Sequence, residues 1–191
     1  MSPERPAGAF VAVVGPSGAG KDTLMSGAAR HPALDGRIRF ARRVVTRAAL
    51  VESEDHDSLD EAGFARAEAE GAFAIVWTAH GLHYGLPRLL MDDLAAGGTV
   101  VANLSRRVLD EAARIFGSLH VVEVTARHEI LLARLLARGR EPEQTIRDRL
   151  RRQVPIALPP SAADHLLIDN STDVALTTTR LVRHLNGLCV V

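Results

Sequence analysis

At 191 residues, 47% of them hydrophobic and 24% charged, the chain is long enough to bury one substantial core and requires no second domain. Its 23 basic and 23 acidic residues cancel, which excludes the global positive field of a nucleic-acid binder. No run approaches the ~20 apolar residues of a membrane span, the N-terminus lacks the pattern of a signal peptide, and a lone cysteine, Cys189, excludes an internal disulfide, so a cytoplasmic protein is expected.

The first predicted strand, Phe10 to Val14, is short, apolar and β-branched. It runs into Gly15-Pro16-Ser17-Gly18-Ala19-Gly20-Lys21-Asp22-Thr23, and a helix is expected from Thr23 to Arg30. In that context the loop amides converge on a β-phosphate, the helix N-terminus adds partial positive charge, and Lys21 bridges β- and γ-phosphates. Lys21 is the only lysine; every other basic residue is arginine, and a compact ammonium suits phosphate oxygens better than a planar guanidinium at this point. The chain therefore reads as a user of a nucleoside triphosphate. Where Ser or Thr ordinarily offers a hydroxyl to magnesium, Asp22 stands instead, followed by Thr23. Asp22 either binds the metal as an anion or stabilises the first helical turn through the dipole.

Further strands are predicted at Ala74 to Trp77, Thr99 to Leu104, His120 to Thr125 and His165 to Ile168. They alternate with helices at Pro87 to Ala96, Val108 to Phe116, His128 to Ala137 and Asp173 to His184, so the fold class is α/β, a mostly parallel sheet flanked by helices. Leu131, Leu132, Leu135 and Leu136 recur at helical spacing and form a core stripe, leaving Arg134 and Arg138 together on another face. Cys189 reads as a small buried hydrophobe and Trp77 as core.

Arginine density is uneven. Arg42, Arg43 and Arg47 form one cluster; Arg134, Arg138, Arg140, Arg147, Arg149, Arg151 and Arg152 form another around Gly139. Phosphoryl transfer is mostly positioning and charge stabilisation, so two phosphate-gripping groups are expected, with Arg47 and Arg138 functional. Arg140, Arg151 and Arg152 read as solvated charge paired with Glu141, Glu143 and Asp148.

The phosphate loop, Val45-Thr46-Arg47, Glu54-Asp55-His56-Asp57, Gly71-Ala72-Phe73 and His80-Gly81-Leu82-His83-Tyr84-Gly85, in that order, resemble the guanylate kinase superfamily. Val121 to Thr125, Leu131 to Gly139, Ile146 to Leu150 and Asp164 to Asn170 extend the similarity over nearly the whole chain. The resemblance implies a P-loop NTPase fold in one domain, 1–191, with an acceptor-binding region at about 38–90 and a lid at about 137–147. It implies ATP and Mg2+ as cofactors, with catalytic roles for Lys21, Arg138 and Arg149 and a nucleotide-side role for Arg134. On the acceptor side it points to Arg42, Arg43, Arg47, Asp55, Asp57, His80 and Tyr84. Tyr84 matches a tyrosine facing the acceptor phosphate. Glu54, Asp55 and Asp57 either bond ribose hydroxyls or form a solvated loop, and His80 and His83 fit a substrate loop better than a metal site.

Departures from guanylate kinases are as informative. Ile75 falls where that family reads the guanine edge with glutamate, Leu59 lies near an expected tyrosine, and the second phosphate-binding arginine expected near Leu50 is absent, with Arg42 and Arg43 standing upstream in its place. An apolar side chain cannot accept the guanine hydrogens, so base discrimination is lost. On the strand Thr99 to Leu104, an acidic metal-site residue is replaced by Asn103 and Ser105, while a carboxylate appears at Asp22. With Arg43-Val44-Val45-Thr46-Arg47 and Val101-Ala102-Asn103-Leu104-Ser105, these features resemble the ribose 1,5-bisphosphate phosphokinases. That resemblance implies ATP-dependent phosphorylation of ribose 1,5-bisphosphate to 5-phosphoribosyl 1-diphosphate and ADP, as in phosphonate breakdown. The alternatives are a nucleoside monophosphate kinase with altered base preference and a catalytically silent binding module. The expected partners are a small sugar bisphosphate and ATP, with neither nucleic acid nor membrane; a homodimer is allowed.

Overall fold

The central strand β1 (Ala9–Val14) is buried on both faces, which is why its sequence is continuously apolar rather than alternating. In this computed structural model, which describes residues 8–46, 56–79, 81–139, 141–151 and 156–189, β1 lies in the middle of a five-stranded sheet. The other strands are β2 (Ile38–Phe40), β7 (Thr99–Asn103), β8 (Leu119–Thr125) and β9 (Asp164–Asp169), in the order β2-β7-β1-β8-β9, all parallel.

Phe10, Ala12 and Val14 point to one layer, where α4 (Leu109–Phe116) packs and Phe116 stacks on Phe10 with centroids 3.8 Å apart. Val11 and Val13 point to the other, beneath α1 (Lys21–Ala29), α5 (His128–Ala137) and α7 (Val174–Gly187). Burying both faces of the sheet is the main stabilising term of the fold. Register pairs Val13 with Asn103 and Val14 with Glu123, so the carboxyl ends of β7, β1 and β8 finish nearly level. The loops leaving those ends open onto one crevice, where such sheets bind ligands.

A second, four-stranded sheet, β4-β3-β6-β5, is built from β3 (Arg43–Val45), β4 (His56–Ser58), β5 (Phe73–Ala79) and β6 (Leu82–Pro87). Helix α2 (Glu61–Ala69), capped by the Asp60 carboxylate accepting from Gly63 N–H, covers it through Phe64, which stacks on Phe73 at 4.7 Å. The crevice lies between this sheet and the parallel one.

Several elements differ from the sequence expectation. Pro87 does not begin a helix: it pairs with Phe73 at the end of β6, and the helix that follows, α3, is Leu90–Ala95. Neither α2 nor α6 (Glu143–Arg151) was foreseen, since α2 buries only Phe64 and α6 only Ile146 and Leu150, too few apolar residues to print a stripe. The stripe on α5 is narrower than expected, with Leu131 and Leu135 buried and Leu136 38% exposed. Cys189 and Trp77 are buried, as read.

Candidate active site

The loop between β1 and α1 takes its shape from glycines that no other residue replaces without strain. Gly15 has φ +145°, and a Cβ there would meet the Val124 carbonyl oxygen at 2.1 Å. Gly20, at φ +87°, would push a Cβ within 2.5 Å of Asn170 Nδ2. Buried Asn170 is the loop's support: its amide donates to Ala19 O at 2.8 Å while its oxygen accepts from Thr177 Oγ1 at 3.0 Å. Arg134 adds to it, donating to Gly18 O, Ala19 O and Asn170 O at 3.3, 3.4 and 3.0 Å. Arg134 thus braces the back of the phosphate loop.

Lys21 folds over that loop. Its Nζ donates to Gly15 O at 2.9 Å and Pro16 O at 3.1 Å. Burial pushes its ammonium down to about 8; the charges of Arg43, Arg138 and Arg106 push the same way, and Asp22 opposes them. Four cations therefore line one cleft within electrostatic reach of Lys21, an arrangement that bound anions relieve.

Asp22 lies in the first turn of α1 beside Asn103, whose Nδ2 donates to Asp22 Oδ1 at 2.7 Å, and 3.7 Å from Arg43 Nη2. Its carboxylate stays 48% exposed on the cleft. Magnesium in kinases takes one or two carboxylates and fills its remaining positions with substrate phosphates and water, so Asp22 beside Asn103 fits that ion. Among the described residues no cluster of three or more His, Cys, Asp or Glu offers a metal site of another kind.

The cleft, of about 1140 Å³, exceeds what one small ligand fills and has room for two substrates. The wall formed by the second sheet carries Arg43 over the Tyr84 ring, 5.8 Å from the centroid, and Tyr84 stacked on Trp77 at 5.4 Å. Arg42 and Asp57, grouped with them in sequence, instead pair with each other at 3.1 Å, outside the residues lining the cleft. Arg47, Asp55 and His80 lie outside the described residues. Ile75 is buried in the core and offers no polar group to a base. Toward α6, Arg138 follows the end of α5 at the cleft, and Arg149 donates to Glu141 Oε1 at 2.6 Å. Glu143 pairs with Arg147 and Asp148 with Arg151, as solvated charge does. Sequence reasoning missed Arg106 and Arg107, which line the cleft immediately after the Val101–Ser105 motif.

This glycine-rich loop at the carboxyl end of the central strand of a parallel sheet, facing a separate four-stranded sheet, defines a guanylate-kinase-like P-loop fold. A guanylate kinase from Anaplasma phagocytophilum matches it with a TM-score of 0.67 over 98% of this chain and 89% of that one, at 16% identity. No protein-family model matches the chain. Among curated proteins, ribose 1,5-bisphosphate phosphokinase PhnN of Brucella melitensis biotype 2 is 49% identical over 100% of this chain and 98% of its own. The Rhizobium etli enzyme of the same name is 44% identical over 95% and 91%. The chain belongs to the ribose 1,5-bisphosphate phosphokinase family.

Proposed function

We propose that the cleft transfers the γ-phosphoryl group of ATP to the 1-phosphate of ribose 1,5-bisphosphate, giving 5-phosphoribosyl 1-diphosphate and ADP. The observation that carries this reading is the crowding of Lys21, Arg43, Arg106 and Arg138 around a braced phosphate loop, opposite a wall that offers aromatic and arginine side chains but no polar group at Ile75 to read a base. Such a site suits an acceptor rich in phosphate and lacking a base. A silent binding module needs neither the braced loop nor the buried ammonium, and family membership disfavours a nucleoside monophosphate acceptor.

The whole chain acts as one kinase domain, with acceptor-binding part at about 38–90 and lid at about 137–147. Loop amides and Lys21 hold the β- and γ-phosphates; Arg43, Tyr84 and Arg47 hold the sugar phosphate; Arg138 and Arg149 close over the transferring group. Asp22 and Asn103 would hold magnesium, which when bound neutralises charge between the β- and γ-phosphates. Assaying ADP release with ribose 1,5-bisphosphate, GMP and other nucleoside monophosphates side by side tests the assignment. Preferential turnover of any nucleotide acceptor would overturn it.

A further inference from the structure

We propose that Arg106 grips the reacting 1-phosphate of the acceptor. The inference rests on the reaction proposed above and adds to it a residue that the sequence motifs did not assign.

Arg106 opens the 3-10 turn Arg106–Val108 directly after β7, and that turn is fixed by Ser105, whose hydroxyl accepts from Arg107 N–H at 3.3 Å. Its place follows from the sheet. β7 is hydrogen-bonded to β1, and Leu104 N–H donates to Val13 O at 3.0 Å, so the chain leaves β7 alongside the start of the phosphate loop. Arg106 is half-buried, lines the cleft, and its charge reaches Lys21, whose basicity it lowers.

Transfer requires the acceptor oxygen to come within roughly 3–3.5 Å of the γ-phosphorus. Two polyanions then meet beside Lys21, and the approach is repulsive unless a fixed cation sits between the loop and the acceptor wall. Arg43 comes to the site from the second sheet, held between Asp22 Oδ1 at 3.7 Å and the Tyr84 ring, and Arg138 comes from the end of α5. Arg106 and Arg107 are the cations that the parallel sheet itself brings to the cleft, and of the two it is the less exposed Arg106 whose charge reaches Lys21. A guanidinium fork there holds two oxygens of the 1-phosphate and leaves a third to attack. The attacking oxygen bonds to the γ-phosphorus as the bond to the β-γ bridging oxygen breaks, and that oxygen leaves with ADP.

The test uses binding as well as rate. Affinities of Arg106→Ala and Arg106→Lys for ribose 1,5-bisphosphate, ribose 1-phosphate, ribose 5-phosphate and a non-hydrolysable ATP analogue are measured by calorimetry. Loss of one charge-assisted contact should weaken both 1-phosphate compounds roughly 10- to 100-fold, leaving ribose 5-phosphate and the ATP analogue within about twofold of wild type. Arg106→Lys should recover part of the loss. Equal weakening of ribose 5-phosphate or of the ATP analogue, or no weakening at all, overturns the assignment. Unaltered thermal melting shows that each variant is folded; if Arg106→Ala is not, Arg106→Lys decides, since a lysine cannot reproduce the fork. Failure of the wild-type protein to bind ribose 1,5-bisphosphate is a separate result that overturns the reaction itself.

Discussion

Asn103 Nδ2 donates to Asp22 Oδ1 at 2.7 Å, joining the end of β7 to the first turn of α1. Two of the positions at which the sequence departs from guanylate kinases are therefore in direct contact. Where the resemblance to guanylate kinases implies a carboxylate at the end of β7, this pair carries its one carboxylate at Asp22 instead. Asp22→Ser should raise the magnesium requirement for turnover by roughly tenfold, because one of the few charged ligands is lost. Asn103→Asp alone should also impair the enzyme, since two carboxylates in contact force one to hold a proton. The double variant, Asp22→Ser with Asn103→Asp, should recover much of the activity. Magnesium titrations of all three check this, and additive losses would reject the exchange.

Lys21 provides a prediction with a sign. Its pKa of about 8 in the ligand-free protein arises first from burial, and bound phosphates would raise it. Between pH 8 and that higher value the complex holds more protons than the free protein, so affinity for ATP should fall as pH rises above 8. Calorimetry at pH 8 in buffers of different ionisation enthalpy should show uptake of about half a proton per nucleotide bound. Lys21→Ala should abolish that uptake and reduce turnover by ~10²–10³, about 3–4 kcal/mol. An unchanged proton count in the variant would assign the uptake elsewhere.

What was legible in the sequence followed from long, local patterns. Residues 10–14 are buried on both faces and read as a continuous apolar run, and α5 came out at the expected bounds because its leucines repeat at helical spacing. The three-residue strands β2, β3 and β4 carry too few positions to show a period, and β6 includes glycine, proline and histidine among its residues. The phosphate loop was legible because its glycines are required by backbone geometry within nine consecutive residues. Asn170 supporting it from 151 residues beyond Ala19, and Arg106 reaching Lys21 from β7, depend on sheet order, which no local pattern contains.

Two histidines away from the cleft should set the acid limit of stability. His120 on β8 and His184 on α7 are half-buried, with His120 Nδ1 and His184 Nε2 enclosed and unpartnered among protein atoms. Burial lowers both below the usual 6.5, outweighing the attraction of Asp164; the proximity of the two rings lowers His120 further. Below pH 6.5 the unfolded chain therefore binds more protons than the folded one, and stability is lost as pH falls. Urea melts between pH 7.5 and 5 should show this, with His184→Leu flattening the acid limb. An identical slope in wild type and variant would exclude these residues as its source.

The two arginine groups should separate kinetically. Arg43 is held between Asp22 and the Tyr84 ring, with a side chain only 16% exposed, so its position is set before substrate arrives. A contact made equally in ground and transition states lowers KM without changing kcat, so Arg43→Ala should mainly raise the acceptor KM. Arg47, outside the described residues, is expected to behave alike. Arg138 stands exposed at the end of α5, next to Gly139 at φ +61°, where the chain turns toward α6. It would meet the γ-phosphate only on closure, so Arg138→Ala should mainly lower kcat, by ~10²–10³ if its contribution matches that of one preorganised charge contact. Glu141, paired with Arg149 at 2.6 Å, occupies the partner that closure requires, so Glu141→Gln should leave kcat unchanged or raise it. Steady-state kinetics with ATP and ribose 1,5-bisphosphate varied separately decide the matter. If Arg43→Ala and Arg138→Ala lose the same parameter to the same extent, the division between a fixed acceptor grip and a closing lid fails.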